Sequence, residues 1–176
     1  PSGYAKQLWD VCIEKGQEFD ITPYGTEAMH VLRAEKGFII VGQETDGSVT
    51  PVDLDMDWIV SKKKYDFIGK RALYRSDTVR EDRKQLVGIL TKDPNIILEE
   101  GAQLVEEVSK PPMKMIGHIT SSYHSPNLGR SIALALVKEG LKKKGKTIYA
   151  PMPSKTIEVE ICDPVFIDPL NERLSA

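Results

Sequence analysis

The first third of the chain has the apolar spacing of two helices. In residues 4–14 the apolar side chains recur at spacings of four, three and one, which places them on one face of a helix. We read Thr22 as the N-cap of a second helix, with Pro23 at its first helical position. An apolar stripe continues this helix towards Gly37 and places Glu35 near its carboxyl end.

Shorter elements follow the second helix. Residues 38–41 form an apolar run before the Asp-Gly turn signal of residues 46–47, so they predict a strand or an extended stretch. Residues 50–53 begin with Thr-Pro and end with Asp, a pattern that predicts a helical turn. Residues 67–73 predict another brief helix start.

The pattern changes after residues 76–84, which are nearly all polar or charged and form the best linker candidate. We place a domain boundary there, between residues 1–78 and residues 79–176. Six strand-like runs follow, separated by glycines, prolines and polar turns: residues 86–90, 103–105, 115–121, 132–137, 147–149 and 156–161. Their spacing is typical of a small antiparallel barrel or sandwich. The sequence therefore predicts an α+β fold.

The composition is that of an ordinary globular chain, with 40% apolar and 28% charged residues, and we expect a packed core. Twenty-four basic and 26 acidic residues leave a net charge of -2, so there is no excess of positive charge to neutralise a nucleic-acid backbone. The longest apolar stretches, such as residues 131–137, are far shorter than the roughly 20 residues that cross a bilayer. We expect neither nucleic acid nor membrane as a partner.

The two cysteines, Cys12 and Cys162, lie far apart and lack the paired spacing of a zinc site or a redox dithiol. We read both as buried thiols, which fits a reducing cytoplasm, and we find no signal segment at the start. The chain opens on Pro1 instead of Met and runs straight into a helical pattern. This suggests a truncated or a processed chain.

No catalytic constellation is evident in the sequence. No glycine-rich phosphate loop follows a strand, so nucleotide binding within this chain is not expected. His30, His118 and His124 lack the spacing of a metal-binding pair, and we read them as structural or exposed. The serines near His124 lie outside a nucleophile elbow, so we read them as turn hydroxyls. We therefore predict neither a catalytic residue nor a metal ligand.

Glu35 is the most informative charged residue, because it ends an apolar helix where a carboxylate opposes the helix dipole. Inside a cleft it could accept two parallel hydrogen bonds from a flat amidine-like edge such as a pterin, or it is a solvated surface residue. The basic run of residues 62–64 could hold a carboxylate-bearing tail, or it forms a solvated face. The aromatic side chains that could stack on a planar ring, or else lie in the core, are Tyr24, Trp58, Tyr65 and Tyr123.

Residues 23–42 resemble the signature of the alpha subunits of heterotetrameric sarcosine oxidases. Other positions are similar in order and spacing to the aminomethyltransferase (T-protein) family of the glycine cleavage system: residues 32–37, Thr50, Pro51, Trp58 and residues 67–70. Residues 117–135 resemble that family's carboxyl-terminal barrel domain. The resemblance implies the last portion of an aminomethyltransferase-like folate-binding domain in residues 1–78, followed by the family's β-barrel domain in residues 79–176.

The resemblance also implies a tetrahydrofolate site. The acidic residue of the family's Leu-Arg-x-Glu motif receives the pterin ring, which marks Glu35. An arginine of the family contacts folate at the position of Lys64, and lysine cannot form the planar bidentate fork of arginine. Tyr24 completes the predicted folate-binding residues. The family's general-base aspartate has no counterpart here, so we expect the fragment alone to be inactive.

The implied reaction has two parts. In such enzymes sarcosine is oxidised at a flavin to an imine, and tetrahydrofolate then captures the one-carbon unit as 5,10-methylenetetrahydrofolate while glycine is released. We expect this chain to serve the second part, with FAD, FMN and NAD bound elsewhere in the intact enzyme. The beta, gamma and delta subunits are its expected partners.

Two other functions stay open. An aminomethyltransferase, or a relative of dimethylglycine oxidase or dehydrogenase, shares the broad motifs. A non-catalytic subunit-interaction module could keep the fold without using folate. Without the upstream sequence, we expect the apolar helix faces that would pack against it to be exposed, so that the isolated chain self-associates.

Overall fold

Two helices and a six-stranded barrel make up the computed structural model, which describes residues 1–174. Helix α1 spans Ala5–Gly16 and helix α2 spans Thr26–Glu35. Short 3-10 turns lie at Ser2–Tyr4, Gln17–Phe19, Pro51–Leu54, Asp57–Ile59, Lys70–Tyr74, Gly140–Lys143 and Glu172–Leu174. None of the helices within residues 1–174 is long and apolar enough to cross a membrane.

Helix α2 begins later than predicted. Its N-cap is Gly25 in an extended conformation, and residues 21–25 are not helical, so the reading of Thr22 as the N-cap is wrong. A helix that began at Pro23 would hold Gly25 within its first turns, where glycine is among the least favourable residues. Glu35 is the last residue of α2, so its predicted place at the carboxyl end of this helix is confirmed.

The segment between α2 and the barrel has little regular structure. Residues 38–40 belong to no helix or strand, and Val41 makes only an isolated bridge with Thr45, so the segment forms no full strand. The predicted helical turn at residues 50–53 is confirmed by a capping box. In it the Asp53 carboxylate accepts hydrogen bonds from the backbone N–H and the hydroxyl of Thr50, at 2.7 and 2.8 Å.

The strands are β1 (Lys84–Thr91), β2 (Gln103–Val105), β3 (Met115–Ser125), β4 (Arg130–Lys138), β5 (Thr147–Pro151) and β6 (Thr156–Cys162). They close into an antiparallel barrel in the order β1-β4-β3-β2-β5-β6. All six predicted strands and the α+β class are confirmed. The contact between β2 and β5 is the shortest in the barrel, because only Val105 and Tyr149 pair across it.

Strands β1 and β4 are buried on both faces. Alternate residues of β4, namely Ala133, Ala135 and Val137, point into the barrel and join the main core. The whole core consists of Val87, Ile89, Leu98, Leu104, Ile116, Ile119, Ala133, Ala135, Val137, Ile148, Ala150, Ile157, Val159 and Ile161. The intervening residues Leu134 and Leu136 form a second cluster outside the barrel with Leu86 and Leu54. The segment after α2 therefore covers the outer face of β1 and β4.

Two glycines allow backbones to approach each other at the barrel. A Cβ atom at Gly117 would overlap the carbonyl oxygen of Leu136 on the neighbouring strand β4. A Cβ atom at Gly88 of β1 would overlap the carbonyl oxygen of Asp163. Any side chain at either position would force the adjacent backbone to move.

The exposure of several side chains contradicts predictions made from the sequence. Helix α1 has no buried residue, so Cys12 is exposed and the prediction of a buried thiol there is wrong. Cys162 is only partly buried. Of the aromatic side chains considered for stacking or for the core, Tyr24, Trp58 and Tyr65 are exposed. The amphipathic spacing of α1 is real, but its apolar face has no partner within the described residues.

Candidate functional site

The carboxyl end of α2 meets the barrel at Glu35, whose side chain is 3% exposed. The Ser125 hydroxyl at the end of β3 donates a hydrogen bond to Glu35 Oε1 at 2.5 Å. The amide of Asn127, in the turn that follows, donates to Glu35 Oε2 at 2.8 Å. Both carboxylate oxygens are thus bound by the turn between β3 and β4. The charge-assisted hydrogen bonds offset the cost of burying the group.

The last part of the chain holds the same residue from another side. The carbonyl oxygen of Glu35 accepts hydrogen bonds from the backbone N–H groups of Phe166 and Ile167, both at 2.9 Å. The Lys36 ammonium forms an ion pair with Asp168 at 3.0 Å. Gly37 has φ of 73°, and a Cβ atom there would lie 2.7 Å from the Pro164 carbonyl oxygen. Glu35 is therefore fixed at its carboxylate and at its backbone.

A second buried cluster lies at Arg33, two residues before Glu35 on α2. Its Nη1 forms an ion pair of 2.9 Å with Oε2 of Glu44, which has no exposed surface. Its Nη2 donates to Gln43 Oε1 and to the Ser121 hydroxyl of β3, both at 2.6 Å. Arg33 also lies 5.8 Å from the ring centroid of Tyr123. These contacts attach α2 to β3.

The Glu44 carboxylate has several hydrogen-bond donors around it in the interior. The hydroxyls of Thr120 and Ser121 donate to its Oε1 at 2.9 and 2.5 Å, and the backbone N–H of Ile40 donates to its Oε2 at 2.8 Å. A buried ion pair is stable only when hydrogen bonds satisfy the remaining lone pairs, and here they do. The Nε atom of Arg33 is the exception, because it is buried without a partner.

The three histidines do not form a metal site. His30 is partly buried and stacks on Tyr123 with ring centroids 6.3 Å apart, while His124 is exposed. His118 lies on β3 with its Nδ1 3.4 Å from the Lys84 ammonium. Burial, and then the charge of Lys84, lower the pKa of His118. No cluster of metal-ligating side chains occurs among residues 1–174.

Lys64 lines a cleft of about 340 Å³ in the segment between α2 and the barrel. The cleft is lined by Val52, Asp57, Val60, Ser61, Lys62, Lys64, Phe67, Lys70, Leu73 and Tyr74. Its one acidic residue, Asp57, is 3.4 Å from Lys62, so an excess of positive charge remains. Glu35 and Tyr24 do not line this cleft, and Tyr24 is exposed. The structure does not bring the three predicted folate contacts together in one cavity.

Arg83, in the predicted linker, anchors the start of the barrel to the preceding segment. Its Nε donates to Asp53 Oδ1 at 2.7 Å and its Nη2 donates to Oδ2 at 2.5 Å, a bidentate pair. Burial works to raise the pKa of Asp53, but hydrogen bonds from Arg83 and Thr50 outweigh it and hold the pKa below its ordinary value. The division of the chain at residue 78 stays a prediction.

The arrangement suits binding better than bond making. A carboxylate has about four acceptor sites on its two oxygens. Ser125 and Asn127 each use one site of Glu35, so acceptor capacity remains for a planar donor edge. The lysines of the Lys64 cleft offer charge for an anion. Sequence reasoning singled out Glu35 and Lys64 but missed the Arg33 and Glu44 pair.

Two family models match the chain. The GCVT N-terminal domain matches residues 1–64, and the glycine cleavage T-protein C-terminal barrel domain matches residues 84–168. These ranges together take up most of the chain, and the chain belongs to the glycine cleavage T-protein family.

Within that family the chain is similar to the alpha subunit of sarcosine oxidase. It is 50% identical to sarcosine oxidase subunit alpha of Corynebacterium sp. (strain U-96) over 98% of this chain and 18% of that protein. It is 37% identical to the subunit of Rhizobium meliloti (strain 1021) over 99% of this chain and 18% of that one. An aminomethyltransferase of Clostridium botulinum (strain Okra / Type B1) is 34% identical over 92% of this chain and 42% of its own.

The chain thus spans less than a fifth of the sarcosine oxidase subunits that it matches, and less than half of the aminomethyltransferase. Among solved structures, it is similar to the crystal structure of glycine cleavage system aminomethyltransferase T from Bartonella henselae. The TM-score is 0.77 at 24% identity, over 95% of this chain and 45% of that chain. At that identity the likeness shows the fold. The predicted resemblance to both groups of proteins is confirmed.

Proposed function

We propose that this chain is the tetrahydrofolate-binding part of a sarcosine oxidase alpha subunit. In this role it helps to convert the imine from oxidative demethylation of sarcosine into 5,10-methylenetetrahydrofolate and glycine. The proposal rests on the family and on one observation, the ionisable Glu35 buried where α2 meets the barrel. A buried carboxylate held by hydrogen bonds suits recognition of the donor edge of a pterin.

Glu35 would orient the pterin ring. Two of its acceptor sites are in use, and the ring would take those that remain. A ring fixed in this way presents the folate amines to the arriving iminium in one orientation, which replaces a random encounter with a positioned one. The role of this chain is therefore to position the substrate, and the chain alone is proposed to be inactive.

Lys64 would bind the carboxylates of the glutamyl tail. The cleft that it lines has two further lysines, Lys62 and Lys70, and an apolar wall. An ammonium on a long stem suits a mobile anion, although it lacks the bidentate geometry of the arginine found in the family. Tyr24, with an exposed ring, would stack on a planar part of the ligand.

The wider setting follows from the same proposal. Tetrahydrofolate would bind in this region, while FAD, FMN and NAD would serve other parts of the intact enzyme. The beta, gamma and delta subunits would be its protein partners, and the enzyme would act in the cytoplasm.

Two observations favour other functions. The identity to an aminomethyltransferase supports an activity in which the one-carbon unit comes from another donor, including that of a dimethylglycine oxidase or dehydrogenase relative. The engagement of both Glu35 oxygens by the barrel supports a non-catalytic interaction module, because in that case Glu35 only joins two parts of the fold.

Calorimetric titration of folinic acid into the full-length subunit tests the proposal. We expect micromolar binding that weakens at least tenfold in Glu35→Gln, about 1.4 kcal/mol. Lys64→Ala should weaken binding, and Lys64→Arg should preserve or strengthen it. Lys63→Ala is the matched control, because Lys63 is exposed and does not line the cleft. Absence of binding by the wild-type subunit would favour the interaction module.

A further inference from the structure

The turn between β3 and β4 carries donors that are committed to Glu35. Ser125 has no exposed surface, and its hydroxyl oxygen accepts the backbone N–H of Leu128 at 3.1 Å. A hydroxyl has a single proton, so the Ser125 proton points to Glu35 Oε1. The Asn127 amide can reach Glu35 Oε2 as a donor only through its NH₂ group. In both contacts the barrel donates and Glu35 accepts, so each carboxylate oxygen is held by its own donor.

The hairpin is well suited to hold these donors still. Ser125 pairs with Arg130 across the β3–β4 ladder, and β3 and β4 share a long register of paired residues. Gly129 takes φ of 62° in the turn, a conformation that glycine adopts at little cost. Donors on a rigid hairpin constrain a partner more strongly than donors on a long loop do.

We propose that Ser125 and Asn127 are positioning residues, which set the orientation of the Glu35 carboxylate for the folate ring. The inference rests on the proposed function and adds a role for the barrel within it. The barrel affects the affinity for folate through the hydrogen bonds that Ser125 and Asn127 donate to the Glu35 carboxylate. Loss of either donor frees the carboxylate to rotate, so that its remaining acceptor sites no longer face the ring together.

The test is folinic acid titration into full-length Ser125→Ala and Asn127→Ala, with His124→Ala as the matched control. His124 lies on the same hairpin, but its side chain is exposed. Each donor variant should bind three- to tenfold more weakly, and the control should bind as the wild type does. The double variant Glu35→Gln with Asn127→Ala should bind within twofold of Glu35→Gln alone, because Asn127 acts only through Glu35.

Asn127→Asp gives a readout that a purely structural role would not change. It keeps the side-chain shape but places a second carboxylate against Glu35, and the two repel unless they share a proton. The ratio of its dissociation constant to that of the wild type should therefore grow as pH rises from 6 to 8. The positioning role would be overturned if this ratio stayed constant with pH, or if the donor variants bound folinic acid as the wild type does. It would also be overturned if Asn127→Ala weakened binding as much in the Glu35→Gln background as it does in the wild type. A wild type that binds no folate would overturn the proposed function and this inference together, whereas the other outcomes leave the proposed function standing.

Discussion

Arg33 and Glu44 form an ion pair in the interior, with Arg33 Nη1 2.9 Å from Glu44 Oε2. The arginine comes from α2 and the glutamate from the segment that follows, and both contact Ser121 of β3. The pair therefore joins three parts of the chain at one point. Arg33 also lies two residues before Glu35 on α2, so loss of the ion pair is expected to disturb the candidate site.

Glu44→Gln should lower the free energy of unfolding by about 3–5 kcal/mol, because it leaves the Arg33 charge buried without compensation. Urea unfolding followed by circular dichroism measures the change. Asp10→Asn is the control, since it removes an ion pair to Lys6 that is exposed at the surface. That change should stay within about 1 kcal/mol. Equal effects of the two substitutions would show that the buried pair is not specially stabilising.

Asp53 should make stability depend on pH. Its pKa is lower in the folded state than the ordinary 3.8, because hydrogen bonds from Arg83 and Thr50 outweigh burial. The stabilisation is therefore fully present above pH 3.8 and is lost as pH falls through the lower folded-state pKa. Asp53→Asn should cost about 1–3 kcal/mol at pH 7.

Urea unfolding of wild type and Asp53→Asn at several pH values checks this dependence. The gap between the two proteins should be constant from pH 7 to pH 5 and should shrink below pH 4. Asp77→Asn is the control, because the exposed Asp77 hydrogen-bonds Arg83 through its backbone carbonyl, which the substitution keeps, and its side chain pairs at the surface with Arg75. A gap that widens at low pH would contradict the assignment.

The two thiols should differ sharply in reactivity. Cys12 is exposed, whereas burial, followed by the charges of Asp163 and Glu160, raises the pKa of Cys162 to about 12. At pH 8 roughly one Cys162 in ten thousand is then a thiolate, the nucleophilic form. Iodoacetamide labelling followed by mass spectrometry should modify Cys12 first. Cys12→Ser should remove the fast phase, and its persistence would locate the reactive thiol at Cys162.

Gly117→Ala should destabilise the barrel by about 1–3 kcal/mol, because the new methyl group meets the backbone of Leu136. The thermal midpoint measures the loss. Gly3→Ala is the control, since no atom lies within 4 Å of a Cβ there. A Gly117→Ala protein as stable as the control would mean that the strands β3 and β4 separate at no cost.

The isolated chain should self-associate through α1. This helix buries none of its residues, and Leu8 and Trp9 are more than half exposed. Sedimentation velocity at rising concentration should show species larger than the monomer. Trp9→Lys should shift the distribution towards the monomer, and a wild type that stays monomeric throughout would contradict the prediction.

The barrel could be predicted because its signals are local. Each strand is a short apolar run bounded by turn residues, and Gln103–Val105 was placed at its observed bounds. The start of α2 was misplaced because Thr22 and Pro23 form a good local start signal, while the structure begins the helix at Thr26. Cys12 was misplaced because a periodic pattern shows which face is apolar but not whether that face has a partner.

The candidate site could be predicted only in part. The place of Glu35 at the end of α2 follows from the chain, but its partners Ser125 and Asn127 lie 90 and 92 residues away. Arg33 interrupts an apolar stripe, which is a signal of a paired buried charge, yet nothing local identifies Glu44 as the partner. Contacts of this kind are set by how the barrel packs against α2, and no single stretch of sequence contains them.

The single residue pair between β2 and β5 has a consequence for how the barrel moves. Every other strand boundary is held by a ladder of several pairs, so separation of Val105 from Tyr149 requires the fewest broken contacts. Opening there turns the cylinder into a curled sheet with β5 at one edge and β2 at the other. Ser125 and Asn127 lie at the β3–β4 turn and not at this seam, so we expect local opening there to leave the Glu35 carboxylate in place.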